Sequence, residues 1–258
     1  MSQPDIKKVL RTLQVQFPGL VEAKFAVHDG FFRSTGLLYK SDYRGLRHFD
    51  LAGRVLLDVG ANRGQSITAF KNAVDRPKII AFEPNARLAA NLAQRYIDDE
   101  DVSVLEVALC EREREFDLHL PYYKGFMLDG LASLKLEEAR DWPNAERFYF
   151  FNPRQVKVET YRVQGKTLDS FGFEPALIKL SIQRSEIEAL MGAAETLSSC
   201  RPIIMSAWPW PTLIAYLADR GYSYYGYLGG RFVPGRLSYM NWFLLEEHKA
   251  QVSHLLAI

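Results

Sequence analysis

Five runs of apolar residues divide the central part of the chain, and segments of helical length separate several of them. The runs are RVLLDVG (54–60), PKIIAFEP (77–84), DVSVLEVAL (101–109), ALIKLSI (176–182) and RPIIMSAW (201–208). Continuous apolar runs of this length are typical of strands buried on both faces, as in a parallel sheet covered by helices. Strands that alternate with helices predict an α/β fold with a doubly wound, Rossmann-like and mostly parallel sheet.

The two ends of the chain extend this core. Residues 4–17 carry apolar side chains at helical spacing, which predicts a short helix that packs on the main domain: Ile6, Val9, Leu10, Leu13 and Phe17. Residues 20–50 mix glycines with aromatic residues, and we interpret them as an irregular lead-in. We therefore expect an N-terminal helix and cap region over 1–50 and a larger domain over 51–258. Near the C-terminus, SYYGYLG and SYMNWFLLEE predict a closing antiparallel strand pair.

An insertion at about 110–165 interrupts the alternation of strands and helices. EFDLHL (115–120) and VKVETYRV (156–163) alternate polar and apolar residues and therefore predict two strands. The segment between them is rich in aromatic residues, which include Tyr122, Tyr123, Trp142, Phe148, Tyr149 and Phe150. These rings either line a substrate pocket or form a separate hydrophobic cluster under a long loop, and the sequence leaves both interpretations open.

Composition and charge exclude several classes of protein. Lys and Arg total 32 against 31 acidic residues, a net charge of +1, whereas nucleic-acid-binding domains carry a basic excess. The two cysteines lack CxxC spacing, so neither a zinc site nor a disulfide framework is expected, and no other metal site is predicted. No signal-peptide pattern is found, and no stretch reaches the roughly 18 apolar residues of a membrane span. We therefore expect a cytoplasmic protein, and its oligomeric state, a homo-oligomer included, stays open.

The stretch LLDVGANRGQS (56–66) carries the strongest chemical signal. A buried strand is expected to end at Asp58 and to lead through a turn of small residues into a helix. Gly60 and Gly64 allow positive φ and a close approach of the backbone to a ligand, and the helix N-terminus offers free N–H groups. The spacing is G-x-x-x-G, so the G-x-G-x-x-G pattern of dinucleotide binding is absent, as is the GK[ST] of a P-loop. A nicotinamide dehydrogenase is therefore disfavoured.

Glu83 supplies a second polar group, at the end of the second predicted strand. In this topology the strand ends beside the first one, so Glu83 is expected close to the turn that follows Asp58. A carboxylate there accepts hydrogen bonds from both ribose hydroxyls of an adenosine. The structural alternative is a first-turn acid for the helix that starts near Asn85, and the pairing with the glycine turn favours ribose binding. Asp58 either holds the turn or binds the ligand's amino group.

The ordered series of motifs resembles the FkbM-type family of class I S-adenosylmethionine-dependent methyltransferases. The matching stretches are DVGANRG (58–64), FEPN (82–85), VAL (107–109), GKTLDSF (165–171), KLSIQRSE (179–186) and RPIIMSA (201–207). The resemblance spans about residues 54–246 and implies a methyltransferase fold with S-adenosyl-L-methionine as its cofactor. The cofactor-binding residues that it implies are Asp58, Gly60, Ala61, Asn62, Gly64, Gln65, Ser66, Glu83, Pro84 and Ala108. Ala108, at the end of the third predicted strand, would lie by the adenine.

The chain departs from the family pattern at the ends of the fourth and fifth predicted strands. The family typically reads KxDVxGxE at the fourth strand, and the residues kept here are Lys179, Gln183 and Glu186. Ser181 stands where the family usually has Asp, and Arg184 stands where it usually has Gly. Ala207 stands where an acid is usual after the fifth strand. A serine cannot act as a carboxylate base, and Arg184 adds a cation beside a cationic cofactor unless it pairs with an acid or an anionic substrate.

The candidates for catalysis are Lys179, Ser181, Glu186 and His28. Glu186 is a candidate to replace the missing acid. It has a structural alternative, because Ser185 and Glu188 form an S-x-x-E capping box and Glu186 suits the first turn of that helix.

Other polar and aromatic residues have weaker claims to the site. His28 lies in a VHDG turn of the cap, whereas His48 and His119 are expected to be structural or solvated. Trp208 and Trp210 follow the fifth predicted strand, and they either form a wall for the acceptor or pack at the rim.

Two functions therefore stay open. The resemblance implies methyl transfer from S-adenosylmethionine, with O-methylation of a small molecule or a glycan hydroxyl as the expected reaction. The alternative is a non-catalytic cofactor-binding paralogue with a disabled acceptor site, because Ser181, Arg184 and Ala207 depart from the pattern. The expected partner is a small-molecule or glycan acceptor, with no nucleic acid and no membrane span.

Overall fold

The computed structural model describes residues 5–257, apart from the side chains at positions 18, 20–22, 26 and 28. The chain forms two compact units. The smaller unit contains the described residues up to Phe31 together with Glu115–Val163, and the larger unit contains Phe32–Arg114 and the described residues from Gln164 onward. The sequence-based division of the chain at residue 50 stays a prediction.

The secondary structure alternates between strands and helices over most of the chain. The strands are β1 (Val55–Val59), β2 (Lys78–Phe82), β3 (Val102–Leu105), β4 (Ala108–Leu109), β5 (Arg114–Tyr123), β6 (Phe126–Met127), β7 (Val156–Lys166), β8 (Pro175–Leu180), β9 (Ile203–Ala207), β10 (Ser223–Leu228), β11 (Arg231–Pro234) and β12 (Met240–Leu244). The α-helices are α1 (Ile6–Gln16), α2 (Pro18–Thr35), α3 (Gln65–Ala73), α4 (Ala86–Arg95), α5 (Leu136–Asp141), α6 (Glu186–Met191), α7 (Ala194–Cys200), α8 (Pro211–Ala218) and α9 (Glu246–Gln251). Short 3₁₀ helices cover Ser41–His48, Asp129–Leu131, Pro153–Gln155, Asp169–Phe171 and Ser253–Leu255. Between residues 5 and 257, no helix is long and apolar enough to cross a membrane.

The larger unit is built on a sheet with the strand order β11-β10-β12-β9-β8-β1-β2-β3. The strands from β9 to β3 run parallel to their neighbours, and β12 is antiparallel to both β9 and β10. The chain moves outward from β1 to β3 and then returns to β8 on the other side of β1. In open sheets, ligands bind outside the carboxyl ends of the strands where the order reverses in this way. The mostly parallel sheet with an antiparallel closing strand confirms the predicted fold.

Both faces of this sheet are covered by packed apolar side chains. On one face, residues such as Leu56 and Met205 pack with Phe70 of α3 and Trp242 of β12. On the other face, neighbouring strand residues pack against helix residues, among them Leu57, Ile178, Ile204, Leu190 and Leu217. Successive strand residues point to opposite faces, and both faces are buried here, so the strands are continuous apolar runs in the sequence.

The third strand is shorter than its apolar run predicts. β3 ends at Leu105 and an exposed Glu106 follows it. Ala108 and Leu109 form β4, which pairs in parallel with Gly165 and Lys166 outside the large sheet. The prediction that Ala108 ends the third strand is therefore wrong, because the chain has already left the large sheet before that residue.

The N-terminal segment is more regular than the sequence predicts. α1 confirms the predicted helix, and α2 occupies much of the segment that was expected to be irregular. The apolar stripe of α1 is not buried, since Ile6 is 73% exposed and Leu10, Leu13 and Phe17 are also exposed. The packing of this helix on the main domain stays a prediction. Val15 is the buried residue of α1, because it joins the hydrophobic cluster of the smaller unit.

The smaller unit contains the strands β5, β6 and most of β7, and β5 and β7 confirm the two predicted strands of the insertion. A two-residue turn joins β5 to β6, and both of its residues, Lys124 and Gly125, have positive φ, as a type I′ hairpin turn requires. Tyr123 and Phe148 lie in a hydrophobic cluster, so the structure supports the satellite-cluster interpretation for these two rings. A pocket role for the remaining aromatic residues, such as the exposed Phe150, stays a prediction.

Candidate active site

A turn of small residues connects β1 to α3 at the carboxyl edge of the large sheet. Gly60, Asn62 and Gly64 have φ values of 78°, 50° and 85°, in the left-handed region that glycine enters at little cost. The N–H of Gly60 donates to the carbonyl oxygen of Phe82, the last residue of β2, at 2.9 Å. A Cβ atom on Gly60 would lie 2.4 Å from the carbonyl oxygen of Ser181, just beyond β8. The turn is therefore enclosed between two strand ends, and only glycine fits at position 60.

A buried ion pair between Lys179 and Asp58 holds this turn in place. The Lys179 ammonium group lies 2.8 Å from Asp58 Oδ1, and both side chains are buried. Lys179 Nζ also donates to the carbonyl oxygens of Gly60 at 2.9 Å and Val59 at 3.4 Å. The second Asp58 oxygen accepts a hydrogen bond from the Ser66 hydroxyl at 2.5 Å. Asp58 thus holds the turn, one of its two predicted roles, and all three Lys179 protons are engaged by the same segment.

Glu83 lies directly after β2, with its carboxylate bonded to the turn. Its two oxygens accept hydrogen bonds from the backbone N–H groups of Asn62 at 2.7 Å and Asn85 at 2.9 Å. Burial raises the pKa of Glu83 to about 7, against the opposing influence of these two N–H groups and of Lys179. Each carboxylate oxygen retains a further lone pair after these bonds, so Glu83 can accept hydrogen bonds from a ligand as well.

The other residues predicted to bind the cofactor lie around this turn, with one exception. The N–H of Ala61 also donates to the Phe82 carbonyl oxygen, Gly64 is the N-cap of α3, and Gln65 and Ser66 are its first two residues. Pro84 follows Glu83 directly. Ala108 is not part of this segment of the chain: it lies in β4 rather than at the end of β3, and its place by the adenine stays a prediction.

The start of α4 excludes the structural alternative for Glu83, which was a first-turn acid of that helix. Asn85 is the N-cap of α4, and its side chain accepts from the N–H groups of Arg87 and Leu88. Glu83 therefore precedes the helix cap and does not act as a first-turn acid.

The segment after β8 carries the remaining candidate catalytic residues. The N–H of Ser181 donates to the Val59 carbonyl oxygen at 3.1 Å, which continues the pairing of β8 with β1. Glu186, the first residue of α6, is buried, and its Oε1 accepts a hydrogen bond from the N–H of Ile182 at 3.2 Å. Burial raises the pKa of Glu186 against several backbone N–H groups that lower it.

The capping box predicted for α6 is absent, which corrects the sequence analysis. Ser185 is the N-cap, but its side chain makes no capping hydrogen bond. Its ψ of 15° lies outside the extended region in which a side-chain oxygen reaches the first N–H groups of a helix. Glu186, rather than a Ser185–Glu188 pair, organises the backbone before the helix.

Comparison with known proteins identifies the family of this chain. The model of the methyltransferase FkbM domain matches residues 58–224, from the end of β1 into β10. The chain belongs to the FkbM methyltransferase family.

Two curated proteins are similar to parts of the chain. One is the 2-O-methyltransferase NoeI of Sinorhizobium fredii, which is 25% identical over 57% of this chain and 60% of its own length. The other is the AMB antimetabolite synthetase AmbE of Pseudomonas aeruginosa, which is 28% identical over 58% of this chain and 8% of its own length. The matched segment thus spans less than two thirds of either relative.

Two solved structures share a low similarity with the chain. A methyltransferase FkbM from Methylobacillus flagellatus has a TM-score of 0.45 at 16% identity and covers 74% of this chain and 44% of its own. A precorrin-6y C5,15-methyltransferase from Geobacter metallireducens has a TM-score of 0.37 at 14% identity and covers 80% of this chain and 88% of its own.

The departures from the FkbM pattern lie together at one edge of the sheet. Arg184, where the family usually has glycine, has a φ of 80°, and the preceding Gln183 has a φ of 52°. Ala207 is the last residue of β9, and the exposed Trp208 that follows has a φ of 48°. Trp210 is the N-cap of α8. Because β8 and β9 are parallel neighbours, these residues follow strand ends at the same edge.

The histidines do not join the residues around the glycine turn within the part of the chain that the structure describes. The His28 side chain lies outside the described residues. His48 Nε2 lies 3.0 Å from the Tyr227 hydroxyl, and burial lowers the pKa of His48. His119 Nδ1 lies 2.9 Å from Thr160 Oγ1 within the smaller unit. Among the described residues, no group of three or more His, Cys, Asp or Glu is arranged to hold a metal ion.

The sequence pattern does not predict the two tyrosines that lie near the site, Tyr39 and Tyr43. The hydroxyls of Tyr39 and Tyr43 lie 3.3 Å apart, and Tyr43 is fully buried. Burial is the main cause that raises the pKa of Tyr43, and the negative charge of Asp58 contributes. Both tyrosines belong to the segment that looked irregular, where neither helical nor strand periodicity marked them.

Proposed function

We propose that this member of the FkbM family binds S-adenosyl-L-methionine and transfers its methyl group to a hydroxyl of a small molecule or a glycan. The observation that carries the proposal is the Glu83 carboxylate, buried at the end of β2 and bonded to the glycine turn after β1. The site therefore offers a charged hydrogen-bond acceptor beside a backbone turn that a ligand can approach closely. An adenosine ribose requires both features. The similarity to NoeI, whose name describes a 2-O-methyltransferase, supports a hydroxyl acceptor.

The residues around the glycine turn fit this cofactor. Glu83 keeps lone pairs for the ribose hydroxyls, and Gly60 and Gly64 would allow the backbone of the turn to approach the ligand closely. Asp58 and Lys179 neutralise each other, so they hold the turn in place without presenting a net charge to the cofactor. The bound cofactor would supply a methyl group on a positively charged sulfur.

The acceptor side must align a hydroxyl oxygen with that methyl carbon and receive the hydroxyl proton. A C–O bond forms as the C–S bond breaks, and an alcohol requires a base because its own pKa lies far above neutral. Glu186 is the carboxylate that we assign to this step, because it follows β8, is buried and has a raised pKa, which suits proton acceptance. Ser181 and His28 stay candidates, whereas Lys179 is a positioning residue because its ammonium group is engaged by the turn.

Isothermal titration with S-adenosylhomocysteine tests the cofactor, and a transfer assay tests the enzyme. We expect saturable binding of one molecule per chain, and the absence of binding would contradict the proposal. Labelled S-adenosylmethionine mixed with cell extract should then yield a labelled product. Cofactor binding without any transfer would instead favour the non-catalytic paralogue. The cytoplasmic location and the oligomeric state stay predictions from the sequence.

The variant Glu83→Ala is expected to weaken S-adenosylhomocysteine binding by at least about tenfold, since two hydrogen bonds to a charged acceptor are lost. The measurement is isothermal titration, with thermal unfolding recorded to show that the variant is folded. Glu111→Ala, which removes an exposed carboxylate, is the matched control and should bind like the parent chain. Unchanged affinity in Glu83→Ala would remove Glu83 from the site.

The raised pKa of Glu83 gives this prediction a pH signature. Ribose hydroxyls donate to the carboxylate form, so binding favours the deprotonated group and weakens as the pH falls through its pKa of about 7. The charged groups that act on Glu83 are Lys179 and Asp58, which oppose each other. Titrations between about pH 6 and 8 should show this weakening in the parent chain and a flat profile in Glu83→Gln. A flat profile in the parent chain would show that the carboxylate charge does not contribute to binding.

A further inference from the structure

The edge of the sheet beyond β8 and β9 combines unusual backbone with exposed side chains. Gln183, Arg184 and Trp208 all have positive φ, a conformation that is costly for residues with a side chain. Such strain persists where the surrounding structure enforces it, and it concentrates at sites that bind ligands. At position 184 a glycine would avoid the strain, so the arginine carries a backbone cost that a glycine would not.

Arg184 and the two tryptophans of this edge form an exposed surface. The guanidinium carbon of Arg184 lies 4.2 Å from the centre of the Trp210 ring, and this ring is 44% exposed. A guanidinium group carries its N–H donors in its own plane, so stacking on a ring leaves their edges available to a ligand. Trp208 is 60% exposed and packs edge-on against Tyr239, over which Lys40 Nζ lies at 4.7 Å. Two cations therefore flank exposed aromatic rings.

Arg184 places a positive charge at this edge that no salt bridge balances among the described residues. Within residues 5–257, the contact of the Arg184 guanidinium is the Trp210 ring, and no salt bridge engages it. Ser181 and Ala207 occupy the two positions at which the FkbM pattern has acids. The nearby carboxylate of Glu186 is turned to the backbone N–H of Ile182. Relative to that pattern, all three departures make the acceptor edge more positive.

We propose that the acceptor is a sugar that carries a carboxylate or phosphate group. The anion binds the N–H edge of Arg184, and the sugar ring packs on the exposed faces of Trp208 and Trp210. An anion offsets the positive charge that Arg184 and the sulfonium place at the same edge, and it matches the planar pair of donors of a guanidinium group. This inference rests on the proposed methyltransferase function and names its substrate class.

The test compares three sugars with and without the Arg184 side chain. Glucuronate, glucose 6-phosphate and glucose are titrated into the full chain in the presence of S-adenosylhomocysteine, with tryptophan fluorescence as the readout. The two anionic sugars are expected to bind at least about tenfold more tightly than glucose. Arg184→Gly should reduce their affinity to that of glucose, and Arg184→Lys should retain part of the preference because it keeps the charge but not the planar donors.

Arg184→Gly is also a favourable variant for this test, because glycine suits a φ of 80° and the variant should be at least as stable as the parent chain. Loss of the anion preference in a stable variant supports the proposal. Equal affinity for glucose, no binding of any of the three sugars, or a preference that survives in Arg184→Gly would overturn it. The comparison of carboxylate with phosphate identifies the anion.

Two readouts separate this inference from the proposed function. If S-adenosylhomocysteine does not bind to the parent chain, the methyltransferase proposal fails. If it binds but the sugars show no preference for an anion, only the substrate class is wrong. In the extract assay, the labelled product should be retained on an anion exchanger, whereas a labelled product that passes through uncharged would contradict the inference.

Discussion

Replacement of Lys179 with methionine is expected to lower the free energy of unfolding by about 3–5 kcal/mol, the usual cost of leaving one partner of a buried ion pair unpaired. Asp58 is fully buried, and after the substitution only the Ser66 hydroxyl would donate to its carboxylate. The Gly60 carbonyl oxygen would lose its bond from Lys179 as well, whereas the Val59 carbonyl oxygen would keep the N–H of Ser181. The measurement is urea unfolding followed by circular dichroism. Binding of S-adenosylhomocysteine should fall too, because the turn loses its support.

Two comparisons identify the cause of this loss. Lys71→Met removes a lysine from a partly exposed pair with Asp99 and should cost less than about 1 kcal/mol, since solvent screens such pairs. Combining Lys179→Met with Asp58→Asn removes both charges and should recover at least about 1 kcal/mol relative to Lys179→Met alone. If Lys179→Met costs no more than Lys71→Met, the buried pair does not hold the turn.

The sequence predicts the large sheet well because its strands are buried on both faces. The runs that became β1, β2, β8 and β9 contain few polar residues, so periodicity could not confuse them with amphipathic helices. Glu83 was correctly expected near the turn after Asp58, because Asp58 lies near the end of β1, Glu83 follows β2, and the two strands are parallel neighbours. Local pattern and topology indicate the same edge of the sheet, which makes the position of the proposed cofactor site predictable.

Long-range packing accounts for what the sequence did not predict. The helix after β8 breaks into α6 and α7 at Gly192, where a Cβ atom would lie 2.0 Å from the carbonyl oxygen of Cys110. No local pattern reveals that this segment of the chain approaches so closely. The helix α2 was missed because its glycines were interpreted as signs of a loop.

The role of Lys179 also depends on long-range packing that the sequence pattern does not reveal. Its position in the family pattern suggested a catalytic residue, whereas its ammonium group bonds to Asp58, which is 121 positions away in the sequence. Only the pairing of β1 with β8, in which Asp58 lies opposite Lys179, brings the two side chains together. The capping box failed for a related reason. The spacing of Ser185 and Glu188 was right, but the backbone before α6 is held in another conformation by Glu186.

The substitution Gly60→Ala is expected to destabilise the protein by about 3 kcal/mol, through two effects that add. A residue with a Cβ atom pays about 1–2 kcal/mol at a φ of 78°. The new methyl group would also lie 2.4 Å from the Ser181 carbonyl oxygen and 2.9 Å from Ile182 Cγ2, and such overlap typically costs about 1–3 kcal/mol. The turn or the end of β8 must move in response, so S-adenosylhomocysteine affinity should fall together with the free energy of unfolding.

Gly53→Ala separates the two effects, because Gly53 also has a positive φ, of 66°, but a Cβ atom there would meet nothing within 4 Å. This control should cost only the conformational part, about 1–2 kcal/mol, and should leave cofactor affinity unchanged. Both variants are measured by urea unfolding and by titration with S-adenosylhomocysteine. If the two variants lose the same stability, the contact between the glycine turn and the end of β8 is not tight. If Gly60→Ala loses stability but keeps full affinity, the turn does not form the cofactor site.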